Sequence, residues 1–126
     1  MLWIIFFIIC YSWPTWDGLT PQHVTSTYGE FRVSSGSGCF YGNHLHDGID
    51  IVSDDNAVHG VRPDYNPDIV KVCGSSSIHT TWHDFYHMSY IDVRPGDTAY
   101  VWTFLGYYGS HLHFTSRMEE WDYVNG

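Results

Sequence analysis

The sequence predicts an all-β fold: one small domain of mainly antiparallel sheet with long loops. Three observations predict it. Tyr, Val, Ile, Thr, Gly and Ser dominate and Leu is scarce, which favours strands and turns over helices. No stretch of useful length repeats its apolar residues at a helical period. Gly and Pro recur between the apolar runs and cut the chain into short segments. A chain of 126 residues makes one domain. At that size roughly two-thirds of the unfolded surface is buried, so a core forms without metal or disulfides.

The elements follow in order. Residues 1–13, MLWIIFFIICYSW, are apolar throughout. The run is too short to span a bilayer, which needs about 20 residues. Its length suits the apolar region of an export signal, with a buried N-terminal strand as the alternative. Residues 14–26, PTWDGLTPQHVTS, read as a linker or loop, because Pro14, Gly18 and Pro21 interrupt any period. Residues 27–126 then form the body of the domain. Within it, VSSGSG at 33–38 is a surface loop and GIDIVS at 48–53 a short strand. VHGVRPDYNPD at 58–68 is turn-rich, and IVKVCG at 69–74 is a strand. SIHTTWHDFYHMSYI at 77–91 is one long β-type run, and RPGD at 94–97 a turn. TAYVWTFLG at 98–106 and SHLHFTS at 110–116 are strands, and the tail from 117 makes a helical turn.

Charge excludes some functions. The net charge is −9 and Lys71 is the single lysine. Nucleic-acid binders carry a basic face, and none is present here. An anionic membrane surface is disfavoured for the same reason. Of the three cysteines, Cys10 falls in the leader. Cys39 and Cys73 would pair in an oxidising compartment, or pack as small apolar side chains.

The histidines carry the chemistry. His46 and Asp50 stand four apart in HLHDGIDI. In a fully extended strand they would lie about 13 Å apart, too far to share an ion. Gly48 between them permits a bend that turns both side chains toward one point. In SHLHF, His111 and His113 share one strand face, with Leu112 and Phe114 on the other. A catalytic Zn²⁺ takes three protein ligands in tetrahedral geometry and keeps the fourth position for water. His46, Asp50 and one of His111 or His113 would supply that set. His87, in DFYHMS, is a third element, and by itself reads as an ordinary half-buried histidine.

Together these motifs make the chain resemble the lysostaphin/LytM-type zinc metallopeptidases, which cleave peptide bonds in bacterial peptidoglycan. YGEFR at 28–32 is similar to the segment that precedes the family's metal loop. HDGIDI at 46–51 matches the loop itself, and FYHMS at 85–89 matches the Tyr-x-His-Leu-Ser-type strand. IDVRPGD at 91–97 matches the Val-x-x-Gly-Asp turn, and SHLHF at 110–114 the His-x-His box. The order is the family's, and the likeness covers about residues 27–116. It implies that His46, Asp50 and His113 bind one zinc ion per chain, and that His87 and His111 stand beside it as catalytic groups. It also implies a groove in the sheet with the metal at its floor, and a peptidoglycan peptide as substrate. The location implied is secreted, periplasmic or cell-envelope, with a phage-encoded lysin as a further source. His23, His44, His59, His79 and His83 match no motif and read as exposed or hydrogen-bonding histidines.

Two segments depart from the family. TFLGYYGSHLHF is shorter and more aromatic than the Gly/Thr/Ser-rich turn usual before the His-x-His box, and it lacks that turn's proline. SDDNAVHGVRPDYNP is only loosely similar. Many zinc peptidases use Glu as base, but Glu30, Glu119 and Glu120 lie outside the ligand motifs, which leaves histidine. Three rival readings stand beside the enzyme. A non-catalytic, chemotaxin-like module on the same fold would need neither His87 nor His111. A cupin-like metal protein would need a Glu shortly after His46. A structural β protein would have no reason to carry nine histidines in 126 residues with four of them at motif positions.

Overall fold

The structure is a computed structural model and describes residues 12–15, 23–32 and 44–117. The leader up to residue 11, Cys10, Cys39, the 33–38 loop and the tail from 118 lie outside the described residues. The described residues contain strands and no helix, as the composition predicts. In chain order the strands are β1 (His23–Ser26), β2 (Phe31–Arg32), β3 (His44–Leu45), β4 (Ile49–Val52) and β5 (Ala57–His59). They continue with β6 (Asp68–Cys73), β7 (Ser77–Thr80), β8 (His83–Ile91), β9 (Thr98–Ala99) and β10 (Phe104–Ser116).

One open sheet runs β1-β4-β10-β8-β7-β6-β9, with β5 also paired to β10. All its pairings are antiparallel. β2 and β3 form a separate two-stranded ribbon. Register separates the chemistry of the two faces. Ile51 pairs with Leu112, Phe114 with Phe85, and Phe85 with Ile78. Ile51, Ile78, Phe85 and Leu112 are fully buried, each worth roughly 1.5–3 kcal/mol relative to exposure. One position along every strand, the alternation of side chains brings up the opposite face. There Asp50 pairs with His113, His113 with Tyr86, and Tyr86 with Ser77. One face is therefore core, and the other carries a row of polar groups.

Several elements differ from the sequence reading. The run at 77–91 is two strands joined by a tight turn at Thr81 and Trp82. No Gly or Pro marks this turn, because side chains make it. Thr80 Oγ1 accepts from His83 N at 3.0 Å, and the Asp68 carboxylate accepts from Trp82 N at 3.0 Å and faces His83 Nδ1. His83 is thus a buried hydrogen-bonding histidine. The segment read as a loop ends in β1, and its Thr15 bridges Val58 beside β5. Conversely, TAYVWTFLG is broken: β9 ends at Ala99, and Phe104–Gly106 belong to β10. β10 then continues through SHLHFTS without interruption. Gly106 allows this. Its φ is +149°, and a Cβ there would sit 2.0 Å from the Tyr90 carbonyl oxygen. The half-buried Cys73 directs its thiol to the Val93 carbonyl at 3.5 Å.

Candidate metal centre

β4 and the bend before it present the first two groups. The chain bends at Gly48, between His46 and Asp50, as the sequence predicts. The glycine is needed for a second reason as well. A Cβ on Gly48 would lie 2.5 Å from the Phe114 carbonyl oxygen and 2.8 Å from His113 Nε2. β10 therefore passes directly against the bend and carries His113 to it. Gly48→Ala is expected to lower stability by about 1–3 kcal/mol, the usual cost of overpacking. Thermal unfolding with and without added metal checks this, and an unchanged midpoint would show that β10 yields freely.

Three ligand atoms converge. His46 Nε2 lies 2.9 Å from His113 Nδ1 and 3.2 Å from Asp50 Oδ1. His113 Nδ1 lies 3.0 Å from the same Asp50 oxygen. His46 and Asp50 are buried, and His113 is half-buried. Their hydrogen-bond partners fix what these atoms can do. His46 Nδ1 lies 2.8 Å from the Thr27 carbonyl, which only accepts, so Nδ1 carries the proton and Nε2 the lone pair. His113 faces a carboxylate on each side, Asp47 Oδ1 at 3.1 Å from Nε2 and Asp50 Oδ1 at 3.0 Å from Nδ1, so either nitrogen can carry its proton; with the proton on Nε2, Nδ1 offers its lone pair. In that tautomer two lone pairs and a carboxylate oxygen face one another. A shared proton satisfies one of these contacts. A metal cation satisfies all three, and this group could hold one.

The two remaining motif histidines stand beside it. His111 turns Nε2 toward Asp50 Oδ1 at 3.8 Å, while Nδ1 meets Ser110 Oγ at 3.0 Å. The His87 and His111 rings lie 4.5 Å apart, and His87 is 6.1 Å from the His113 ring. His87 arrives there through its backbone, with φ at +66°. Positive φ is uncommon without glycine, although His is among the residues that tolerate it. Between Tyr108↔Met88 and His113↔Tyr86, the stretch Gly109–Leu112 of β10 bulges against the single residue His87. The bulge shifts the alternation of β8. Phe85 and Met88 are both core, and Tyr86 and His87 between them both lie off it. Burial lowers the pKa of His87 below that of an ordinary imidazole, and the nearby His111 and His113 lower it further against an opposing pull from Asp50.

All five predicted site residues are therefore brought together: His46, Asp50, His113, His87 and His111. The YGEFR segment is bonded to the chain at His46. Gly29 N donates to the His46 carbonyl at 2.7 Å, and His46 N donates to the Glu30 carbonyl at 2.8 Å. Sequence reasoning missed the groups that orient the ligands. The Thr27 carbonyl is backbone and leaves no residue-type signal. Asp47 is the exposed neighbour of a ligand, and Thr115 Oγ1 adds a contact to His113 Nε2 at 3.3 Å. Tyr86 packs edge-on against His113 at 5.4 Å, a position that strict alternation beside His87 hides. Among the described residues no helix is long and apolar enough to cross a membrane. Compared with known protein families and with curated proteins, the chain matches none.

Proposed function

We propose that this protein is a zinc-dependent endopeptidase that hydrolyses peptide cross-links or stem peptides of bacterial peptidoglycan. One observation carries the reading. Three lone-pair atoms, from His46, Asp50 and His113, converge within 3.2 Å while two further imidazoles stand alongside. Two nitrogens and one carboxylate oxygen are a zinc donor set with an open position. Zinc bonds of about 2.0–2.1 Å give tetrahedral edges of about 3.3 Å, close to the separations present. The peptidoglycan substrate rests on the motif order, and with it go a groove over this face and a secreted, periplasmic, cell-envelope or phage-lysin setting.

A bound zinc supplies Lewis acidity and a water that is nucleophilic near neutral pH. The chain's own residues do the rest. His87, with its lowered pKa, is neutral at pH 7 and can take a proton. His111 Nε2 faces the centre and can return one to the leaving amine, or donate a hydrogen bond to the developing oxyanion. The Thr27 carbonyl holds His46 in the tautomer that binding requires, and Asp47 can accept the Nε2 proton of His113 when Nδ1 binds.

The test is metal stoichiometry on the purified protein together with the products of a peptidoglycan digest. One zinc per chain with newly exposed amines supports the reading. Bound zinc without cleavage would instead identify a non-catalytic module on the same fold.

Acid should act on both parts at once. Metal ligands must be deprotonated, so acid expels the ion. A free imidazole titrates near ~6.5. His87 is shifted downward, so it stays a base to lower pH than that. The acid limb should therefore follow metal release, with the His87 limb lying below about pH 6.5. Metal content and rate measured across one pH series check this, and undiminished turnover in strong acid would contradict the mechanism.

A further inference from the structure

A second constellation lies on the same polar face, one strand beyond Tyr86. Ser77 Oγ is 3.1 Å from His79 Nε2, and His79 Nδ1 is 2.9 Å from Asp84 Oδ1. The carboxylate oxygen only accepts, so Nδ1–H donates to it and Nε2 presents its lone pair to the serine hydroxyl. This is the order nucleophile, base, orienting carboxylate, at hydrogen-bond distances throughout. The hairpin imposes it. Ser77 and His79 share one face of β7, and His79 pairs directly across the turn with Asp84 of β8. Thr80 and Asp68 lock that turn. Asp84 is buried, and Arg117 Nη2 holds the same oxygen at 2.8 Å, so the carboxylate is fixed in place. Ser77 is half-buried and follows the exposed turn Gly74–Ser76, so it is reachable from solvent. None of these groups belongs to the metal centre. The Tyr86 ring stands between them, 5.4 Å from His79 and 5.4 Å from His113.

We propose that Ser77, His79 and Asp84 form a separate, metal-independent nucleophilic site that accepts acyl groups from activated esters. Ser77 Oγ attacks the ester carbonyl carbon while its proton passes to His79 Nε2. The tetrahedral oxyanion collapses, the bond to the leaving alcohol breaks, and His79 returns the proton to that alcohol. Water then attacks the Ser77 ester by the same route, releasing the acid and restoring the hydroxyl. Aryl esters suit the site because their leaving groups depart with little assistance. Arrangement and role, not position in a chain, define such a site.

The experiment treats the full chain, purified with one equivalent of zinc, with a fluorophosphonate probe, and follows p-nitrophenyl acetate hydrolysis in parallel. The expected result is an adduct mapped to Ser77 and absent from Ser77→Ala. His79→Gln should slow labelling and ester hydrolysis by roughly 10²–10⁴-fold, the range of a general base. Ser77→Ala should keep its zinc and its action on peptidoglycan, so failure here and failure of the metal centre read out separately. Absence of an adduct on Ser77 in the unaltered protein overturns the proposal, whatever the variants do. So does a Ser77 adduct that forms equally fast in a zinc-retaining His79→Gln.

Discussion

Asp50→Ala is expected to strip the metal and abolish hydrolysis. Asp50 Oδ1 is the one anionic atom of the set, within 3.2 Å of both imidazole nitrogens. Without it, two lone pairs face each other at 2.9 Å with no negative charge between them to balance a dication. Loss of a group that merely orients a ligand lowers metal affinity about 10–100-fold, and loss of a ligand should exceed that. The measurement is metal content after dialysis, read beside the rate on peptidoglycan. Full zinc retention in Asp50→Ala would remove Asp50 from the ligand set. Chelation of the unaltered protein should give the same loss of rate, restored by adding zinc.

The next largest effect separates the two histidines of SHLHF. His113→Ala should lose metal and activity together, because Nδ1 is a proposed ligand atom. His111→Ala should keep most of its metal and lose turnover by about 10²–10⁴-fold, as expected for a general acid–base group. The geometry supports the split. His113 Nδ1 lies 3.0 Å from Asp50 Oδ1, whereas His111 Nε2 stands off at 3.8 Å and is the more exposed ring. Metal loss in His111→Ala with retention in His113→Ala would show that the two roles are exchanged. If His111→Ala keeps both metal and full rate, the non-catalytic reading gains instead.

The cluster of His46, Asp50 and His113 was legible because its constraints are local. The pair His46 and Asp50 needs only a bend, and Gly48 announces one. His111 and His113 need only the two-residue period of a strand. The absence of helix among the described residues was legible from composition. What the sequence hid arises between distant segments. The 77–91 run divides at a turn made by the Thr80 hydroxyl and the carboxylate of Asp68, with neither Gly nor Pro to mark it. Tyr86 and His87 lie off the core together because a bulge in β10 shifts the period of β8, and no pattern within β8 reveals that. Likewise, Gly48 looks like a hinge in sequence, yet the structure also requires its missing Cβ for the close passage of Phe114. His79 matched no motif, since its partners Ser77 and Asp84 take their meaning from the hairpin's register.

The position of β10 in the sheet has a consequence for biosynthesis. The last strand among the described residues, β10, lies between β8, which ends at Ile91, and β4, which ends far earlier at Val52. Until it emerges from the ribosome, β4 and β8 each present an unpaired edge, and the surface that Leu112 will cover stays open to water. Open edges of this kind invite pairing with other chains. Pairings so far apart in sequence also form slowly. Nascent chains cut short before residue 104 should therefore aggregate rather than persist as smaller domains. If His46, Asp50 and His113 bind a metal as proposed, its capture must likewise await that strand, since His113 arrives with it.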